Sequence, residues 1–198
     1  MTVIGVRRRR VARVLTEAGA PVVVLVVMPL IIAAQGASSL IGGLGWGVVA
    51  AFFFGVVPFG YVLRGVRLGH WADHHVGVRE QRKPVFAFSL ASMLFGLMVL
   101  ATAGAPRDLL AFLATLLAEA GLALVVTLVW KISLHTWVST IGATALVVAY
   151  GLPALFLWPV LAAVGWSRVE LEDHTIAQVT VGALLGILTT ALIFPVLR

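Results

Sequence analysis

Residues 109–130 read LLAFLATLLAEAGLALVVTLVW, an apolar run whose one ionisable side chain is Glu119. A helix of that length is about 33 Å long, the thickness of a bilayer's hydrocarbon core. Working outward from it, the same pattern recurs at Ala20–Ala34, extending weakly to Leu40, and at Leu44–Leu63, Val85–Ala103 and Thr175–Leu197. Thr136–Trp166 is too long for one straight span and contains Gly151, Pro153 and Pro159. Proline breaks the backbone hydrogen-bond ladder, so this stretch predicts two short helices hinged near Gly151–Pro153. The expected fold is all-α, a polytopic transmembrane bundle of six to seven hydrophobic helices, one or two of them open to a re-entrant reading. A single membrane domain over 1–198 is expected, with no internal repeat.

Composition agrees. The chain is 61% hydrophobic and 11% charged, with a mean hydropathy of +1.09. A soluble domain is typically about 25% charged. Disorder requires the opposite balance. The absence of Cys excludes a disulfide scaffold and a cysteine–zinc fold. A net charge of +6 would suggest nucleic acid in a soluble protein. Here the basic residues lie between apolar blocks, so they are read as membrane-orienting charges and no nucleic-acid partner is expected.

Arg7, Arg8, Arg9, Arg10 and Arg13 precede the first span. Arg64 and Arg67 follow the second, Arg79, Arg82 and Lys83 lie in the polar connection after it, Lys131 follows the fourth and Arg168 the sixth. Only Arg107 and Arg198 fall on the other side. The positive-inside rule then predicts a multi-pass cell-membrane protein with residues 1–18 as a basic cytoplasmic N-terminus and residues 64–84 as a cytoplasmic loop. The alternative is that the first hydrophobic segment is a signal peptide, whose removal would not move the later loops.

All five histidines, His70, His74, His75, His135 and His174, share that side, and three segments converge there. The first runs His75-Val-Gly-Val-Arg79-Glu-Gln-Arg82-Lys83-Pro84, where a helix would put His75, Arg79 and Arg82 on one face. The second is Lys131-Ile132-Ser133-Leu134-His135. The third is Ser167-Arg168-Val-Glu-Leu-Glu172-Asp173-His174-Thr-Ile-Ala-Gln178, with His174 and Gln178 one turn apart. Cations, hydroxyls and imidazoles at a membrane interface are what binding a phosphate ester needs. One imidazole can attack phosphorus while another protonates the leaving oxygen.

The second and third segments resemble signatures of the type 2 phosphatidic acid phosphatase superfamily, the integral-membrane lipid phosphate phosphatases. The family's third signature is Ser-Arg, five residues, His, three residues, Asp. Ser167-Arg168, His174 and Gln178 keep the spacing and change the last residue. Ile132-Ser133-Leu134-His135 resembles its Pro-Ser-Gly-His. His75, six residues, Arg82, then Lys83-Pro84 resembles Lys, six residues, Arg-Pro, with His for Lys and the proline one place late. The resemblance implies a phosphohydrolase that needs no metal or cofactor. It makes His174 the nucleophile and His135 the general acid. Arg82, Arg168, Ser133, His75 and Lys131 would hold phosphate oxygens, and Gln178 would orient His174. The implied substrate is a lipid phosphate or prenyl (di)phosphate among membrane lipids.

The departures carry chemistry. Gln178 can accept a hydrogen bond from His174 but carries no charge; the neighbouring carboxylates Asp173 and Glu172 are the candidates to compensate for it. His75 replaces a permanent cation with one that titrates near neutrality, so activity is expected to favour mildly acidic pH. Plain structural readings stand beside these. His174 and His135 can be helix-start residues, Arg82 a topology charge, Lys131 a snorkelling side chain, and Glu119 a carboxyl hydrogen-bonded within the bundle. Gly43-x-x-x-Gly47 and Gly182-x-x-x-Gly186 suit tight packing within the chain or a homo-oligomer contact. Two rival functions remain: a phospholipid-binding family member without turnover, suggested by Gln178, and a small transporter, suggested by Glu119.

Overall fold

The computed structural model describes residues 3–198, and the described residues contain helices and no strands. In chain order the helices are α1 (Val3–Ala18), α2 (Pro21–Gly36), α3 (Leu40–Ala51), α4 (Val57–Arg67), α5 (Arg82–Thr102), α6 (Arg107–Val129), α7 (Leu134–Tyr150), α8 (Trp158–Glu170) and α9 (Ile176–Leu197). The all-α reading holds. Five stretches are long and apolar enough to cross a membrane: Leu40–Arg67, Arg79–Thr102, Arg107–Val129, Leu152–Glu170 and Ile176–Leu197. The bent pair Gly5–Ala18 and Pro21–Gly36 forms a sixth candidate, and α7 is a shorter apolar helix. The hinge lies where glycine and proline predict it. Gly151 adopts φ +83°, and Pro153 opens the short 3-10 turn Leu152–Leu157 before α8.

Residues 3–18 form an element that the sequence reading treated only as part of a charged leader. Val3–Ala18 is helical. It belongs to the first of two compact units, Met1–Val24 with Lys131–Leu192. Within this unit α1 packs on α8. Arg8 pairs with Glu170 at 2.9 Å and its guanidinium lies 5.6 Å from the Trp166 ring centroid. Arg9 pairs with Glu172. Deeper down, Thr16 Oγ1 meets Ser167 Oγ at 2.8 Å, and Ser167 donates to Val164 O at 2.7 Å. The Ser167 hydroxyl is thus occupied in fastening α1 to α8.

In the same unit α7 and α9 run parallel in close contact. Thr136 Oγ1 donates to Val179 O at 3.2 Å. A Cβ built on Gly182 would lie 2.8 Å from Ser133 O, and one on Gly186 would lie 2.6 Å from Trp137 O. The Gly182-x-x-x-Gly186 face is therefore used inside the chain, where small residues let helix backbones approach.

The second unit is Leu25–Trp130 with Ile193–Arg198. Here Gly43 and Gly47 of α3 serve the same purpose against α2: Cβ atoms on them would lie 2.7 Å from Ala34 Cα and from Leu30 Cα. Between α3 and α4 the ladder widens into a π-turn at Phe52–Val56, where Val57 N donates to Phe52 O. Pro58 follows and cannot donate. Phe53 O is satisfied from outside the helix, by Ser92 Oγ of α5 at 2.7 Å. Glu119 is buried on α6, on the side that also carries Thr115, Ala123 and Thr127.

Candidate functional site

The candidate residues fall in both units, and each group is described in its own. In the first unit three helix ends meet. Gly165, near the end of α8, lies against both α7 and α9: its Cβ would fall 2.9 Å from Val179 and 3.5 Å from Thr136. The start of α7, the end of α8 and the start of α9 therefore share one end of this unit. Ser133, His135, Arg168 and His174 are all buried there, with relative exposures of 0%, 5%, 3% and 7%. The second and third segments are joined through main chain, Ser133 N donating to Gln178 O at 3.4 Å.

Local chemistry places each group. Ser133 ends an extended stretch and takes the N-cap position of α7 without a side-chain capping bond. Its Oγ is buried with no hydrogen-bond partner among the described residues. His135 follows in the first turn. Lys131 is half-buried in the extended approach. Arg168 lies in the last turn of α8, and its Nη2 meets Asp173 Oδ2 at 3.0 Å.

The α8–α9 corner is closed from both sides. Glu172 N donates to Val169 O at 3.0 Å and Asp173 N to Arg168 O at 3.1 Å, with Glu172 at φ +63°. This is a Schellman ending with glutamate where glycine is usual. His174 N also donates to Arg168 O, at 3.2 Å. Immediately afterwards Thr175 and Gln178 form a reciprocal capping box: Gln178 N donates to Thr175 Oγ1 at 3.3 Å and Thr175 N to Gln178 Oε1 at 3.2 Å. His174 sits between a helix stop and a helix start, two short-range devices that fix its backbone. Its Nδ1 lies 3.0 Å from Gln178 Oε1. The neighbouring carboxylates are committed elsewhere, Asp173 to Arg168 and Glu172 to Arg9.

In the second unit the connection after α4 differs from the helical face proposed for His75, Arg79 and Arg82. Residues 68–78 form turns, and only Arg79–Gln81 coil into a 3-10 turn before α5. The cause is local. Asp73 Oδ1 captures His75 N at 2.7 Å, an Asx-type turn, and Val76 adopts φ +46°. Trp71 pins the connection by donating to Val62 O at 2.8 Å and packing with Val62 and Val76. Arg82, 4% exposed, donates through Nε to Val76 O at 3.0 Å. His75 stacks at a tilt on His74, ring centroids 4.0 Å apart, while His74 meets Phe59 edge-on and His70 meets Trp71.

Sequence reasoning missed Thr175. Its signal was present as Thr-x-x-Gln ahead of an apolar run. No protein-family model, no curated protein and no solved structure matches the chain.

Proposed function

We propose that the chain is a membrane-embedded phosphohydrolase of the type 2 phosphatidic acid phosphatase kind, removing phosphate from a lipid phosphate or prenyl (di)phosphate without a metal. The observation that carries this reading is the contact of His174 Nδ1 with Gln178 Oε1 at 3.0 Å, beside buried Arg168 and the unpartnered hydroxyl of Ser133.

In the proposed reaction His174 Nε2 attacks phosphorus. The bond between phosphorus and the lipid oxygen breaks, and that oxygen leaves with the electron pair and takes a proton from the His135 imidazolium. Water then attacks the phosphohistidine. Its proton passes to the now neutral His135, and the P–N bond returns its pair to Nε2. Arg168 and the Ser133 hydroxyl would hold the phosphoryl oxygens, with Lys131 adding charge. The roles of Arg82 and His75 rest on the spacing of the first motif alone. The lipid tail would remain in the bilayer while its headgroup reaches the basic end. By the positive-inside rule that end, and the N-terminus, would face the cytoplasm from the cell membrane.

A second reading, a phospholipid-binding protein without turnover, is favoured by the neutral Gln178. The two part in one experiment: phosphate release from a prenyl diphosphate in detergent, with chelator present, by wild type and His174→Ala. The phosphohydrolase reading expects release that the variant loses. Equal release by both refutes the nucleophile. Lipid binding with no release by either supports the second reading.

A further inference from the structure

The capping box at the start of α9 determines more than a helix terminus. A backbone N–H can only donate, and Thr175 N lies 3.2 Å from the Gln178 side-chain atom that also faces His174. That atom must be the carbonyl oxygen, because a reversed amide would set its NH2 group against the Thr175 N–H, donor against donor. The same oxygen lies 3.0 Å from His174 Nδ1. An amide oxygen only accepts, so Nδ1 carries the hydrogen and the neutral ring keeps its lone pair on Nε2. The Thr175 hydroxyl completes the arrangement by accepting from Gln178 N at 3.3 Å, which fixes the residue supplying the amide.

We propose that Thr175 is a positioning residue for His174. By closing the box with Gln178 it fixes the orientation of the Gln178 amide, and through it holds the imidazole as the Nδ1–H tautomer with Nε2 presented as the basic nitrogen. A neutral side chain thereby sets the tautomer without a charge to hold the imidazolium. The consequence for catalysis rests on the phosphohydrolase reading; the tautomer does not.

The test uses the full chain in detergent micelles with isotope-labelled histidine. The His174 signals are assigned by their loss in His174→Asn. Above the pH at which the ring titrates, wild type should show a pyrrole-type Nδ1 and a pyridine-type Nε2. Thr175→Val and Gln178→Met should move the ring toward the Nε2–H form, whereas Thr175→Ser and Gln178→Glu should keep it. In parallel, phosphate release should fall about tenfold in Thr175→Val through kcat and recover in Thr175→Ser, as expected for one lost positioning hydrogen bond.

An Nε2–H ring in wild type overturns the proposal. So does a tautomer unchanged in both Thr175→Val and Gln178→Met when the two proteins remain folded by circular dichroism. A shifted tautomer with undiminished release removes the link to chemistry. The expected tautomers with no release from wild type support the positioning role and refute the phosphohydrolase reading, so the two failures are distinct.

Discussion

Gly182→Ala tests the contact that holds the second and third motif segments together. The added methyl would fall 2.8 Å from Ser133 O and 2.9 Å from Thr136 Oγ1. Ordinary contact begins near 3.4 Å, so one helix must retreat by about 0.6 Å. Neither neighbour yields easily. Ser133 O is main chain, and the Thr136 hydroxyl is held between Ser133 O at 3.1 Å and Val179 O at 3.2 Å. Overpacking of this size costs about 1–3 kcal/mol. Against it stands the helical gain of Gly→Ala, about 0.5–1 kcal/mol. The net is a loss centred on about 1 kcal/mol and reaching about 2.5, or roughly 2–4 °C in midpoint at the centre for a chain of this size. Gly121→Ala on α6 and Gly45→Ala on α3 are the controls, since no atom lies within 4 Å of either added methyl. They should leave the midpoint unchanged or raise it. The assay is thermal unfolding of the purified variants in one detergent, with size-exclusion profiles alongside. If Gly182→Ala rises together with Gly121→Ala, α7 and α9 are not packed at this residue. If instead it changes the oligomeric state at constant midpoint, the glycine face belongs to an interface between copies.

Two further outcomes follow from the connections. Trp71→Phe keeps most of the ring but leaves Val62 O without its 2.8 Å donor. The loss should be about 1–2 kcal/mol, read as a lower midpoint than in Trp130→Phe, at a residue 37% exposed; equal midpoints would show that the clasp on α4 contributes nothing. Glu172→Gly relieves a left-handed residue at φ +63° but removes the exposed pair with Arg9, whereas Glu172→Ala removes the pair and keeps the strain. The glycine variant should be the more stable by about 1 kcal/mol, the reverse of helix propensity; an alanine variant that melts at or above it would refute the Schellman geometry.

The spans were legible because a bilayer-length helix needs only an uninterrupted apolar run, which no distant partner has to supply. The break at Gly151–Pro153 was legible for a similar reason, since proline and a positive φ act on their own neighbours. The helix at Val3–Ala18 was hidden by its charges. Arg8 and Arg9 are consistent with a solvated leader until Glu170 and Glu172, far along the chain, are brought beside them. The expected helical face of His75, Arg79 and Arg82 failed because periodicity counts residues and cannot see that Asp73 takes the His75 amide. At Gln178 the sequence posed the question correctly, charge lost and acceptor kept, but looked to Asp173 and Glu172 for compensation. Their partners are Arg168 and Arg9, and that allocation depends on tertiary geometry.

On the proposed phosphohydrolase reading, the same allocation explains how an end of the first unit with three acidic residues between 170 and 173 could still suit an anion. Glu170, Glu172 and Asp173 are each matched to an arginine, Arg8, Arg9 and Arg168. Two of the carbonyls at the end of α8, which would repel a phosphate, are consumed by the corner itself: Arg168 O accepts from both Asp173 N and His174 N, and Val169 O from Glu172 N. What that end retains is the positive poles of α7 and α9, parallel and side by side. The Asp173 side chain is 46% exposed while that of Arg168 is 4% exposed. An arriving phosphate would therefore displace a half-exposed carboxylate from a buried cation, an exchange of one anion for another that leaves no guanidinium charge stranded.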